Sequence, residues 1–136
     1  MNLKVLIIDD EEIFLMLHST WVEKCGMSAE PESFLECEEA LTYLRNNHMN
    51  TRKFLLLLDV NMPVMNGWDL MTHIRNSEFA DKVLAVIVTS SMDKDDIEKS
   101  KQFPFVIDYL EKPLTLAKCL NIKAKPELAE FVPKLN

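Results

Sequence analysis

The sequence predicts an α/β protein, a doubly wound five-stranded parallel sheet with helices on both faces. Three observations carry that prediction. Short, continuous apolar runs recur over residues 3–8, 54–58 and 83–88, as in strands buried on both faces. Stretches with apolar residues at helical spacing lie between them. Strand and helix alternate five times, the order in which parallel strands are joined by crossover helices. The 136 residues fit one domain.

The elements follow in order. Residues 3–8 form the first strand. A helix over 12–24 carries Ile13, Met16, Leu17, Thr20 and Trp21 at helical spacing, and Gly26 stops it. Residues 27–34 make a weak, polar strand, and Pro31 suits a sheet edge. A second helix spans 33–47, with Ala40, Leu41 and Leu44 facing inward. Residues 54–58 give the strongest strand. A third helix covers 67–76 with Leu70, Met71 and Ile74 on one stripe. The fourth strand is 83–88, followed by a polar helix over 93–102. A fifth strand spans 105–110, and the last helix begins near Pro113, since proline is tolerated in a first turn. Pro126 should break that helix, leaving a short helical stretch over 127–132 that Pro133 ends. The expected organisation is one domain over 1–136, with its core in 1–122 and an irregular extension over 123–136.

Composition narrows the function. Hydrophobic residues at 48% and charged residues at 27% are ordinary for a globular protein. The formal charge of −7 argues against grasping nucleic acid or an anionic membrane. Cys25, Cys37 and Cys119 lack zinc spacing and read as free thiols of a reducing compartment. No run approaches the ~20 apolar residues that span a bilayer, and no secretory leader is visible. The expectation is a cytoplasmic protein.

The chemistry sits at the strand ends. In a doubly wound sheet, ligands bind beyond the carboxyl ends of the strands. There the sequence puts Asp9 and Asp10 after the first strand, Asp59 after the third, Thr89 and Ser90 after the fourth, and Lys112 after the fifth. A lone Asp in such a place is usually a cap or turn residue. Three acids, a hydroxyl and a lysine converging are another matter, because buried carboxylates need a cation. Mg²⁺ takes oxygen ligands, commonly one or two carboxylates plus phosphate oxygens. Asp10 and Asp59 can supply direct oxygens, Asp9 can hold a metal-bound water, and the Asn61 backbone carbonyl can add a ligand. An Asp carboxylate can also attack phosphorus and carry an acyl phosphate. Lys112 and the Thr89 hydroxyl would then meet phosphoryl oxygens.

Taken together, these stretches resemble the response-regulator receiver domain of two-component signalling. The matching residues are Asp9-Asp10, Asp59-Val60-Asn61-Met62-Pro63-Val64-Met65-Asn66-Gly67, Val88-Thr89-Ser90 and Tyr109-Leu110-Glu111-Lys112-Pro113. The resemblance covers residues 1 to about 120. It implies a flavodoxin-like fold with strand order 2-1-3-4-5 and a cis Lys112–Pro113 bond, which X-Pro makes accessible at ~0.5–1 kcal/mol. It implies Asp59 as phosphoacceptor, and Asp9, Asp10, Asp59 and the Asn61 carbonyl as the Mg²⁺ site. Thr89 and Tyr109 would be the switch pair and Lys112 the phosphate-binding lysine. The donor would be a sensor histidine kinase or a histidine phosphotransfer protein. The output of a stand-alone receiver would be binding of a downstream protein, with no direct nucleic-acid contact and no membrane insertion.

Two other readings remain in play. One is a phosphohydrolase with an Asp nucleophile, although the Asp-x-Asp after the first strand that such enzymes use is missing. The other is an adaptor that works without phosphorylation. The three histidines, His18, His48 and His73, read as ordinary helix residues. Gly67 is expected to supply a positive φ. The segment Gln102-Phe103-Pro104-Phe105 is bulkier than receivers usually carry before the fifth strand. Asn61 and Ser91 occupy the positions that tune phosphoryl lifetime in that family.

Overall fold

The computed structural model describes residues 2–133. Its strands are β1 (Leu3–Ile8), β2 (Glu32–Phe34), β3 (Lys53–Leu58), β4 (Val83–Thr89) and β5 (Val106–Glu111). Its helices are α1 (Glu12–Lys24), α2 (Cys37–Asn47), α3 (Gly67–Arg75), α4 (Lys94–Ser100) and α5 (Leu116–Lys123). The strands form one sheet in the order β2-β1-β3-β4-β5, every pairing parallel. This is the flavodoxin-like arrangement that the receiver resemblance implied.

The continuous apolar runs are explained by burial on both faces. Along β1 and β3, Leu6, Ile8, Leu56 and Leu58 point to one side, where they join Leu41, Leu44, Leu70, Met71 and Ile74. Val5, Ile7, Leu55 and Leu57 point to the other, against Val22, Cys119 and Ile122. A period-two strand between two helical layers has no solvent face, so no polar alternation survives.

Several boundaries move, each for a physical reason. β2 keeps only three residues of the expected 27–34, because Pro31 precedes it and Met27 is buried in the turn after α1. Ser33 and Phe34 pair with Ile7 and Ile8, so α2 starts at Cys37 rather than 33. In α1 the inward face is Leu15, His18 and Val22, while Ile13 and Met16 are 69% and 72% exposed. Helical spacing by itself does not say which of these apolar residues face inward. α5 begins after Thr115, whose hydroxyl accepts the Lys118 N–H, and not at Pro113. The expected helical stretch over 127–132 is a single 3-10 turn, Pro126–Leu128. It packs nonetheless: Leu128 is fully buried, and Phe131 and Val132 lie against the same core side as α1 and α5. Residues 134–136 of the expected extension lie outside the described residues.

Gly67 corrects another expectation. Its φ is not positive; among glycines, only Gly26 lies in the left-handed region, at 80°. Gly67 is required by close approach. A Cβ there would sit 2.7 Å from the Val60 Cα and 2.9 Å from the Asp59 carbonyl oxygen. The first turn of α3 is thereby pressed onto the end of β3. The residue with positive φ in that loop is Val64, at 66° and fully exposed.

Candidate functional site

β1 and β3 are adjacent and in register, Ile8 opposite Leu58. The residues that follow, Asp9 and Asp59, therefore emerge side by side. Both are buried, at 2% and 4% exposure. Each carboxylate is first turned by its own chain. Asp9 Oδ1 accepts the Glu11 N–H at 2.9 Å, and Asp59 Oδ1 accepts the Asn61 N–H at 3.0 Å. Their other oxygens converge on one cation. Lys112 Nζ lies 2.7 Å from Asp9 Oδ2 and 2.8 Å from Asp59 Oδ2. Lys112 is carried in from β5 by its own backbone, whose N–H donates to the Thr89 carbonyl at 2.9 Å. The Lys112–Pro113 peptide that follows is cis.

Asp10 completes an acidic cluster. Asp9, Asp10 and Asp59 each offer one carboxylate oxygen, all within 4.8 Å of one another, with Asp10 exposed. That donor set is all-oxygen and anionic, with an open side. It fits a small, hard divalent cation that keeps water and a phosphate oxygen among its ligands.

The charges inside are unequally tolerated. Burial raises the Asp9 carboxyl above its usual range, against hydrogen bonds from Lys112 and the Glu11 N–H that pull it down. Burial pulls the Lys112 ammonium down, but its bonds to Asp59 and Asp9 and their charges outweigh that and raise it. Lys112 thus stays charged because two carboxylates surround it.

A chain of contacts leads outward. The fully buried Thr89 Oγ1 accepts the Asn61 side-chain amide at 3.3 Å and the Ser91 N–H at 3.4 Å. The Ser91 carbonyl accepts the Tyr109 hydroxyl at 2.6 Å, and the Ser91 hydroxyl donates to Asp96 Oδ2 on α4 at 2.9 Å. Tyr109 is half-buried; burial, then the charge of Asp96, pushes its phenol up. Asp9, Asp10, Asp59, Thr89 and Lys112 thus gather at one rim, with Tyr109 reached through Ser91, while Ser90 is exposed.

The sequence profile described as "Response regulator receiver domain" matches residues 5–122. The chain belongs to the response regulator receiver domain family. Receiver domains are signalling domains that work with histidine kinases and downstream protein partners, and they generally bind Mg²⁺ at an acidic pocket. The chain is 28% identical over 113 residues to the probable methanogenesis regulatory protein FilR2 of Methanothrix harundinacea, covering 82% of this chain and 72% of that one. It is 31% identical over 115 residues to the Regulator of RpoS of Escherichia coli K12, covering 82% of this chain but 30% of that protein. Among solved structures, it resembles a two-component response regulator from Cytophaga hutchinsonii, with a TM-score of 0.78, 26% identity, and coverage of 88% and 92% of the two chains.

Three features of this receiver escaped the sequence reading. His18, expected as an ordinary helix residue, lies on the buried face of α1: it is 2% exposed, and its Nε2 accepts the Leu114 N–H at 3.0 Å. Phe14 places its ring 4.4 Å from Lys112 Nζ. Asp96, within the polar helix expected over 93–102, holds the Ser91 hydroxyl. The available signal for the first two was their i, i+4 spacing just after the acidic pair, which puts them on one helix face.

Proposed function

We propose that this receiver accepts a phosphoryl group on Asp59 from a phosphohistidine and that the transfer switches a protein-binding surface. The observation that carries the reading is the gathering of Asp9, Asp10, Asp59 and Lys112 at one rim. Asp9 shares burial, a turned carboxylate and the Lys112 cation with Asp59; Asp59 is the acid that opens the Asp59-Val60-Asn61-Met62-Pro63 stretch, where the receiver resemblance puts the phosphoacceptor. In the step itself, an Asp59 oxygen bonds to phosphorus as the phosphorus–nitrogen bond of the donor histidine breaks. The electron pair leaves with the imidazole, which takes up a proton. Lys112 passes from its carboxylate oxygen to a phosphoryl oxygen, and the Thr89 hydroxyl donates to another. Both contacts neutralise charge without covalent chemistry, as suits phosphoryl transfer. Asp9, Asp10, Asp59 and the Asn61 carbonyl would hold Mg²⁺. Bound there, the ion would offset the repulsion between the acids and the incoming phosphoryl group.

Output follows from the same network. When the Thr89 hydroxyl turns inward, it gives up its bonds from Asn61 and Ser91. Ser91 is bonded to Tyr109 and Asp96, so the change reaches β5 and α4, an existing equilibrium biased by local contacts. The partner on that outer face is a protein rather than nucleic acid, in line with the net charge of −7. In this reading residues 1–122 are the receiver core.

The test is phosphorylation by phosphoramidate with Mg²⁺, followed by intact mass. Wild type is expected to gain one phosphoryl group and Asp59→Ala none. Equal labelling of the variant would remove Asp59 from its role. Turnover of a small phosphate ester would instead favour a phosphohydrolase.

A further inference from the structure

Lys112 keeps a full charge in a place where its side chain is 6% exposed. An ammonium has three N–H donors. Asp9 and Asp59 account for two, at 2.7 and 2.8 Å. The third partner is the Phe14 ring, with its centroid 4.4 Å from Nζ. That is inside the ~6 Å over which a ring attracts a cation. Phe14 lies in the first turns of α1, half-buried, and its ring meets that of His18 one turn later, with centroids 5.6 Å apart. His18 in turn receives the Leu114 N–H, two residues beyond Lys112. Consecutive turns of α1 thus grip both the ammonium and the backbone that follows it.

We propose that Phe14 is a positioning residue for Lys112: its ring face takes the third N–H and holds the ammonium in the pocket while its oxygen partners change. This rests on the phosphoacceptor reading given above. A ring suits the task better than an oxygen would. A carbonyl or carboxylate in that place would compete with the phosphoryl group for the ammonium. A ring attracts the charge without fixing its direction. Once an Asp59 oxygen is bonded to phosphorus, Lys112 loses part of that partner and turns to a phosphoryl oxygen. The ring persists alongside Asp9, so the ammonium depends on these two more in the phosphorylated state than in the free one.

The attraction comes from the ring's quadrupole, which fluorine withdraws at nearly constant shape. The experiment replaces Phe14 with mono-, di- and trifluorophenylalanine and compares them with Phe14→Leu. Two quantities are read. In Mg²⁺-free buffer, solvent exchange of the Lys112 ammonium protons, followed by NMR, is expected to quicken with each fluorine. With Mg²⁺ and beryllofluoride, the Kd is expected to rise stepwise, about 3- to 10-fold at the trifluoro ring, with Phe14→Leu close to that limit. A purely structural Phe14 would give a flat series, since the fluorinated rings fill the same space. A flat exchange series, or a flat affinity series in protein that binds beryllofluoride, overturns the proposal. Failure of wild type to bind beryllofluoride overturns the phosphoacceptor reading instead, and the exchange series still decides the role of Phe14 because it needs no ligand.

Discussion

Lys112 and the lysines at the amino end of the sheet are held in opposite ways. At the carboxyl end, Lys112 is held by two carboxylates and a ring, all of them side chains. At the amino end, lysines rest chiefly on backbone carbonyls. Lys4 donates to Glu30 at 2.7 Å, Lys53 to Asp81 at 2.9 Å and Lys82 to His48 at 2.5 Å. Carbonyls are fixed by the chain, so those bonds are scaffolding. Side chains can change partner, and a carboxylate–ammonium–carboxylate set is able to exchange one of its oxygens for a ligand's. The same residue type therefore serves structure at one rim and chemistry at the other.

The largest expected effect separates the two rims directly. Lys112→Ala leaves Asp9 and Asp59 buried together without their cation, which should cost about 3–5 kcal/mol in Mg²⁺-free urea unfolding. Mg²⁺ should return part of it. Lys53→Ala, by contrast, removes one hydrogen bond to Asp81 and a ring contact with Phe131 at the amino rim, together about 1–2 kcal/mol. Equal losses for the two variants would erase the distinction.

The next effect concerns acid. Burial, reinforced by the positive charge of Lys112, holds the His18 imidazole down at about 4 from its ordinary 6.5, while the Asp59 charge opposes the shift and Lys118 adds to it. A depressed value means that the unfolded chain binds the proton first. The stabilisation is complete above pH 6.5 and disappears as the pH falls through about 4. The difference is roughly 3 kcal/mol across that window. His18→Gln offers an amide oxygen to the Leu114 N–H but does not titrate, so its stability should fall less over the same range. Parallel pH profiles for the two proteins would contradict the assignment.

Two smaller effects sharpen the contrast away from the pocket. Leu128→Ala, under the tail at the amino end, should cost about 2–3 kcal/mol and leave phosphorylation by phosphoramidate unchanged. A loss of phosphorylation in a folded variant would mean that the two ends are coupled. Val64→Gly should stabilise the protein by ~0.5–1 kcal/mol, because a β-branched residue is strained at positive φ. A drop in melting temperature would show that the loop at Val64 is held by contacts of that side chain.

Much of this architecture was legible in advance, for definite reasons. β1, β3 and β4 were clear because burial on both faces leaves an unbroken apolar run. Asp9, Asp59, Thr89 and Lys112 were found because strand ends in a parallel sheet converge on one rim, so short motifs far apart in sequence predict a cluster. β2 was blurred because three edge residues, two of them exposed, carry almost no pattern. The buried face of α1 was not legible because helical spacing of apolar residues does not say which of them face inward. Leu15 and His18 are buried while Ile13 and Met16 are not. Gly67 was correctly singled out, but for the wrong cause: φ and close approach leave the same residue type in the sequence. The Phe14–Lys112 contact joins residues 98 positions apart and depends on the rotation of α1, which spacing leaves open.

The central claim is that the phosphoryl group is carried by the Asp59 carboxylate. Borohydride reduction of protein treated with phosphoramidate and Mg²⁺, followed by peptide mapping, measures this directly, because it converts an aspartyl phosphate to homoserine. The account predicts homoserine at position 59 and only when Mg²⁺ was present. Homoserine at position 9 or 10, or unchanged Asp59 in protein that carries phosphate, would contradict it.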